Sequence, residues 1–266
     1  MRVREFAWVV LLIAPHAVPS TGWTQATKDQ ARLVFTVSGG FVGGRDLWAI
    51  DAQPIQFTDP IDTVALGRRI RSTLGIAFAG AYFPGDNLGF GLEGFLVGLG
   101  FEDRCRVTFS SGSTDLIESC QSIQGATKSA TAVAVTVGPI FRVNSRSLIS
   151  PYARANVGLV FSNQSSLRTT GRYLTPDGFS TLIVYDDDHE TRVEPALAFG
   201  FGFTAAVARG YQLRWEVRDN IVGVQEVTSA PPQARVVPPH DVTYKHLLSV
   251  TIGFDVVLER RRGRRY

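Results

Sequence analysis

The sequence predicts an all-β protein whose eight strands close into an antiparallel, up-and-down barrel, and three observations carry that prediction. Residues 244–258 place Leu248, Val250, Ile252, Phe254, Val256 and Leu258 at every second position, with Ser249, Thr251, Gly253 and Asp255 between them, the period of a strand with one oily face. Further segments of the same period precede it along the chain. The intervals separating them run long, short, long, short, long, short, long, the order that an antiparallel barrel with both ends on one side requires.

Residues 32–42 come first, with Leu33, Phe35, Val37 and Phe41 facing one way and Val34, Thr36, Ser38 and Gly40 the other. Residues 43–62 hold two Pro and four Asp without clean alternation and read as a long loop. In residues 70–82, Ile70, Leu74, Ile76, Phe78 and Tyr82 oppose Arg69, Arg71, Thr73, Gly75 and Ala77, and the following Phe83-Pro84-Gly85-Asp86-Asn87 composes a tight turn. Residues 88–99 set Leu88, Phe90, Leu92 and Leu96 against Gly89, Gly91 and Glu93; beyond Gly94 both faces are apolar, which suggests a bulge or register change.

After a second long loop, 100–128, residues 130–142 alternate Val133, Val135, Val137 and Phe141 with Ala132, Ala134, Thr136 and Gly138, and Pro139 predicts a local irregularity. Residues 149–162 place Ala153, Val157, Leu159 and Phe161 outside and Tyr152, Arg154, Asn156 and Gly158 inside. A third loop, 163–192, leads to residues 193–207, where Leu197, Phe199, Phe201 and Phe203 face away from Glu194, Ala198, Gly200 and Gly202. A turn at Ala208-Arg209-Gly210 opens residues 211–221, with Tyr211, Leu213, Trp215 and Val217 opposite Gln212, Arg214, Glu216 and Arg218. The loop 222–241 carries four Pro and precedes the last strand.

The two faces decide the environment. A soluble barrel such as a lipocalin encloses an apolar cavity and shows polar side chains to water, but here the bulky apolar set would overfill a small cylinder while small and charged residues covered its outside. The reverse packs: glycine and alanine inside leave space for long charged chains, and closure leaves no backbone edge unpaired in hydrocarbon. The prediction is therefore a transmembrane barrel. Arg68 falls on the oily face and is expected at or above the outer rim, because charge facing lipid costs about 2–4 kcal/mol at mid-membrane and far less near the edge.

The ends read differently from the body. Arg2 and Arg4, an apolar run over 6–14 and small residues at Val18-Pro19-Ser20 and Thr24-Gln25-Ala26 lay out a secretory signal peptide over 1–26, cleaved after Ser20 or Ala26. The barrel then occupies 27–258, and a basic tail, 259–266, is expected on the periplasmic side. Of the net charge of +3, the signal supplies +1 and the tail +4, leaving the body at −2, which removes the main support for nucleic-acid binding. Cys105 and Cys120, in one polar segment of an exported chain, are expected to form a loop-closing disulfide.

In Thr251-x-Gly253-x-x-Val256-x-Leu258 the last strand resembles the closing-strand signal read by outer-membrane barrel assembly machinery, although it ends on Leu rather than an aromatic. With the Gly and aromatic alternation, Ser150-Pro151-Tyr152 at a strand start and Leu213-Arg214-Trp215-Glu216-Val217-Arg218 in the penultimate strand, the chain resembles the OmpA-type family of small outer-membrane β-barrels over its mature length. The likeness covers the barrel only, without that family's peptidoglycan-binding domain. It implies location in the cell outer membrane, contact with membrane lipid and lipopolysaccharide, handling by the assembly machinery, and a monomer.

Inward-facing Arg69, Arg71, Glu93, Arg154, Glu194, Arg214, Glu216 and Arg218 are the candidate lumen network, with Glu93 and Glu216 as central acceptors, because charges in a narrow lumen must pair. The expected role is structural, in envelope maintenance, with a narrow pore as an extension of it and recognition or adhesion through the long loops as the alternative. Some family-like barrels modify lipid A with Ser and His at the outer rim. His189, His240 and His246 lie in no pattern that fixes nucleophile, base and orienting acid, so no enzyme is expected. Asp186-Asp187-Asp188-His189-Glu190 offers oxygen ligands but lacks a calcium-loop glycine pattern; solvated or lipopolysaccharide-bridging charge is expected there, and neither metal nor cofactor.

Overall fold

Alternation of large apolar with small or polar residues produces long strands here, and their pairing leaves no free edge in the membrane-spanning wall. The computed structural model describes residues 31–56, 61–162, 166–187, 192–232 and 236–259, so the signal region, most of the basic tail and His189 lie outside the described residues. The elements are β1 (Arg32–Val42), β2 (Arg45–Ile55), β3 (Asp62–Ile70), β4 (Thr73–Phe83), β5 (Leu88–Phe109), α1 (Thr114–Ile123), β6 (Thr127–Arg142), β7 (Ile149–Ser162), β8 (Thr169–Thr175), β9 (Gly178–Tyr185), β10 (Arg192–Ala208), β11 (Tyr211–Val227) and β12 (His240–Glu259). The wall is the antiparallel ring β1, β4, β5, β6, β7, β10, β11, β12, closed by β12 pairing with β1 and by β5 pairing with β6. It is an eight-stranded barrel.

Phe199, Phe201 and Phe203 of β10 point outward, Phe201 with 69% of its surface exposed, whereas Arg214 and Glu216 on the neighbouring strand are buried inside at 3% and 2%. Ile76 and Phe78 of β4, Leu92 of β5, Val157 of β7 and Val250, Ile252 and Phe254 of β12 continue the outward set around the ring. Such a continuous apolar belt on a closed barrel is a lipid-facing surface.

The structure corrects the expected segmentation at the long-loop end. The loop over 43–62 contains β2, and the strand begun at Ile70 belongs to a longer run in which β3 and β4 follow one another along β5. Ile70 pairs with Phe101 and Gly75 with Val97, so five residues on this side match four on β5. The extra residue, at Arg71-Ser72, is a β-bulge that reverses which parity faces inward. Above it Val64, Leu66, Arg68 and Ile70 are buried; below it Gly75, Ala77 and Ala81 are. Ile70 is therefore not a lipid-facing residue.

The register change expected beyond Gly94 is present against one neighbour, since the bulge at Arg71-Ser72 lies opposite residues 97–101 of β5. β5 keeps one register with β4 through Val97 and with β6 through Glu102, and its inner apolar residues Phe95, Val97 and Phe101 face a part of the lumen that is itself apolar. At Pro139 the irregularity is confined to one side: pairing with β7 passes from Val137–Val157 to Ile140–Arg154 without a shift, while Pro139 still lies opposite Phe90 of β5.

The other long loops are also built. Loop 100–128 contains the upper part of β5 and helix α1, whose N-terminus is capped by the Ser113 hydroxyl accepting from the Leu116 amide at 3.3 Å. The Cys105–Cys120 disulfide ties α1 to β5. The third loop contains the hairpin β8–β9, and α1 lies along β8, with the Arg172 amide donating to Ser122 Oγ at 2.6 Å and the Leu174 amide to Glu118 Oε2 at 2.9 Å.

Replacing Phe201 by Arg puts a guanidinium into the middle of the belt and is expected to lower barrel stability by about 2–4 kcal/mol, against about 0–1 kcal/mol for Val242→Arg above it. The difference in urea unfolding midpoints between the two variants in lipid vesicles checks this.

Candidate functional site: the lumen network and the extracellular cap

Halfway along the barrel, β5, β7 and β11 each turn a charged side chain inward, and the charges meet. Glu93 of β5 accepts from Arg154 Nη1 at 2.7 Å and from both terminal nitrogens of Arg218. Glu216 accepts from Arg154 Nε and Nη2 at 3.0 and 2.7 Å and from Arg218 Nε at 2.7 Å; its second oxygen takes the Tyr152 hydroxyl at 2.5 Å. Two carboxylates thus sit between two guanidinium forks, all four groups buried. Pairing of this completeness is what makes ions tolerable away from water.

Neighbouring glycines make the room. A Cβ on Gly200 would stand 2.8 Å from Glu216 Oε1, and one on Gly202 would meet the Tyr152 hydroxyl at 2.9 Å. Toward the short-turn end, Arg214 donates to Asp255 Oδ2 through Nε and Nη2 at 3.2 and 3.0 Å, and the Thr36 hydroxyl donates to Asp255 Oδ1 at 2.7 Å. Arg142 lies 3.6 Å from the same carboxylate and over the ring of Phe83 at 4.4 Å. These contacts fill the lower lumen.

The structure brings together Glu93, Arg154, Glu216 and Arg218, and places Arg214 one layer below. Arg69 and Arg71 belong elsewhere. Arg69 is on β3, partly exposed, 3.4 Å from Glu102, and Arg71 is exposed at the bulge. Both were assigned inward by carrying the parity of β4 through an extra residue. Glu194 faces inward near the upper end of β10, beside Gly223, at a level above the network. Asp255, Tyr152 and Arg142 were missed as members, although all three stand on the inner parity of their strands. Thr251 and Gly253 are buried on the inner face of β12, and Leu258 is exposed on the outer.

Above the barrel a second constellation centres on Arg68, which is 1% exposed. The parity reversal that takes Arg69 out of the lumen turns Arg68 into the cap. It binds Asp103 through Nε at 2.5 Å and Nη2 at 2.9 Å, and donates to the carbonyls of Ser166 at 2.8 Å and Arg168 at 2.7 Å. The rings of Trp48 and Phe101 lie 5.6 and 5.7 Å away. The Trp48 indole N–H donates to the same Ser166 carbonyl at 3.0 Å, and the Ser166 hydroxyl to the Gln225 carbonyl at 3.1 Å. Tyr185 donates to Gln53 Oε1, and Gln53 Nε2 to the Pro231 carbonyl, both at 2.9 Å. Segments from all four long loops are joined through these bonds over an apolar interior that includes Leu47, Val64, Leu116, Ile123, Leu167 and Val184.

Burial, the nearby Arg68 and Arg168 charges acting against the attraction of Asp103, pushes the Lys128 ammonium down to about 8. Burial raises the Tyr185 hydroxyl, and the Lys245 ammonium holds the Glu226 carboxyl below its ordinary value. His246 Nδ1 contacts Asp219 Oδ2 at 2.7 Å on the outer wall, and His240 Nδ1 contacts the Pro238 carbonyl at 2.8 Å. Asp186 lies 4.0 Å from Arg168, while residues 188–190 of the acidic run are outside the described residues.

A closed ring of eight strands, an apolar belt outside and paired charges inside are now in place. The fold is a small eight-stranded transmembrane β-barrel. No family model and no curated protein matches the chain. Solved outer-membrane barrels are similar to it in fold alone. The outer membrane protein OprG from Pseudomonas aeruginosa has 12% identity and a TM-score of 0.47, with 87% of this chain and 98% of that one covered. Neisserial surface protein A has 11% identity and a TM-score of 0.42, covering 86% and 99%. The attachment invasion locus protein Ail of Yersinia pestis has 10% identity and a TM-score of 0.39, covering 86% and 99%.

Glu216→Ala strands two guanidinium groups and a tyrosine hydroxyl in the barrel's lumen and is expected to cost about 3–5 kcal/mol, whereas Arg69→Ala is expected to stay within about 0.5 kcal/mol; equilibrium unfolding in detergent compares them. For Lys128, a folded value below the unfolded one means the unfolded chain binds the extra proton, so cap stability rises as pH climbs from about 8 toward 10.5 and the penalty is fully present below 8. Thermal unfolding followed by Trp48 fluorescence should show that rise, and Lys128→Met should flatten it.

Proposed function

We propose that this protein is a non-conducting outer-membrane barrel that serves as a rigid mount for an extracellular recognition surface. The observation that carries the reading is the joining of all four long loops into one cap through Arg68, Asp103, Trp48, Ser166 and Gln53. A chain whose only task was to span the membrane needs no such cap, whereas binding sites sit preferentially on loops held by a rigid frame. The paired charges across the mid-lumen weigh against a steady aqueous pore. On this reading the barrel contributes to the envelope as an anchor, in contact with lipid and lipopolysaccharide. The most outlying apolar pair on the cap, Leu174 and Phe179 at the tip of β8–β9, is the part offered to a partner.

Purified protein in planar bilayers is expected to give no stepwise conductance, and steady steps would overturn the closed-barrel reading. Cells displaying Leu174→Ser/Phe179→Ser are expected to lose binding to immobilised protein and glycan arrays while the barrel keeps its heat-dependent gel mobility. Unchanged binding would remove the tip from the recognition surface.

A further inference from the structure

Between the charged layer and the cap the lumen changes character. Its floor is Glu93 and Arg218, its roof Ile70 and Phe101, and its walls are apolar, with Val42, Phe95, Val97, Val160 and Leu247 facing in. The walls also carry Ala132, Ala134, Ala196 and Ala198. In the layer below, the small residues Gly200 and Gly202 are matched by Arg154, Glu216 and Tyr152, which occupy the space they leave. Among the described residues no long side chain fills the space beside the alanines, and a chamber of about 80 Å³ remains.

Thr136, Ser162, Ser166, Glu194, Asn220 and Gln225 interrupt the apolar lining, and Gln225 carries an unpaired acceptor. Gln225 is buried at 7% exposure, and its Oε1 has no hydrogen-bond partner among the described residues. A buried amide left unpaired is costly unless something supplies its bond. The chamber extends to a place where one wall pairing ends: β10 and β11 pair only up to Ala196–Val222, above which β10 pairs with β7 and β11 with β12. Glu194 and Gly223 stand on either side of that seam and both line the chamber.

We propose that this chamber is a binding site for a small, predominantly apolar molecule carrying one hydroxyl, a short-chain alcohol, held by its hydrocarbon part against the alanine and valine walls and by its hydroxyl at the Gln225 amide. The size sets the limit. An apolar cavity of ~150 Å³ admits benzene, so a chamber of about 80 Å³ takes a linear molecule of a few carbons without rearrangement. A mostly apolar site with a few placed polar groups is the common form of a small-molecule site, in which the apolar part supplies affinity and the polar groups orientation. The assignment does not depend on the recognition role of the cap.

The test uses the intact barrel in detergent with isotope-labelled Val, Leu and Ala methyl groups, titrated with 1-butanol and separately with n-pentane, which has the same number of heavy atoms. Saturable shifts are expected at the inward methyls of Val42, Val97, Val160 and Leu247, with 1-butanol binding roughly 2- to 10-fold tighter, the worth of one net hydrogen bond. Outward Val135 and Leu159 report partition into the detergent and should respond without saturation. Ala134→Leu fills the chamber and should abolish the saturable shifts, and Ala196→Leu does so from β10 if the first variant fails to fold. Gln225→Leu should erase the preference for the alcohol. Absence of saturable shifts, or their survival in both filled variants, would overturn the site; an undiminished alcohol preference in Gln225→Leu would overturn the assignment of the hydroxyl.

Discussion

The constraint from which the rest follows is that backbone polar groups have no water to bond in hydrocarbon, so a spanning sheet has to close on itself. Closing with eight strands gives a narrow cylinder. Since successive side chains alternate across a strand, half of every strand is committed to lipid and the other half to the interior. The chain meets the first demand with Leu, Val, Ile and Phe. The second is met unevenly along the axis: long charged chains over glycine at mid-lumen, and alanine with valine nearer the cap.

The charged layer owes its stability to completeness more than to attraction. Two carboxylates and two guanidinium groups removed from water gain little net energy as pairs, yet any one of them left alone is strongly destabilising. The network therefore acts as a register lock. Glu93, Arg154 and Glu216 come from three different strands, and sliding any strand by one residue would send its charge toward lipid. Arg68 and Asp103 play the corresponding part above the membrane, where the partners are two adjacent strands and the carbonyls of a loop that returns over them.

Alternation made the barrel legible. The segments 32–42, 149–162 and 193–207 were readable because their periods run unbroken, and the inward positions of Glu93, Arg154, Arg214, Glu216 and Arg218 follow from parity alone. Parity is also where the reading failed. One extra residue at Arg71-Ser72 reverses the faces, so Arg69 and Arg71 were placed inside and Arg68 on the oily side, each one position out of phase. Nothing in Arg-Arg-Ile-Arg-Ser-Thr marks that residue, because a bulge is fixed by pairing with β5 and by the Arg71 amide bonding the Gly100 carbonyl at 2.7 Å. The cap was illegible for a related reason. Leu47, Trp48 and Leu116 are buried by segments remote in the chain, and no local period records such burial.

The apolar stretch beyond Gly94 has a second cause besides the register change opposite it. Two apolar faces in one strand suggested a broken register, and the register does step by one residue between β4 and β3, but β5 runs straight on against β6 with its inner residues facing an inner surface that is apolar as well. A strand is oily on both sides when both sides are dry, and in a membrane barrel that happens only where the lumen is shut off from water at each end. Here the Glu93 and Arg218 layer shuts it below and the cap held by Arg68 shuts it above. The sequence signature of the chamber was present in Phe95, Val97 and Phe101, and its meaning depended on two seals contributed by residues from other strands.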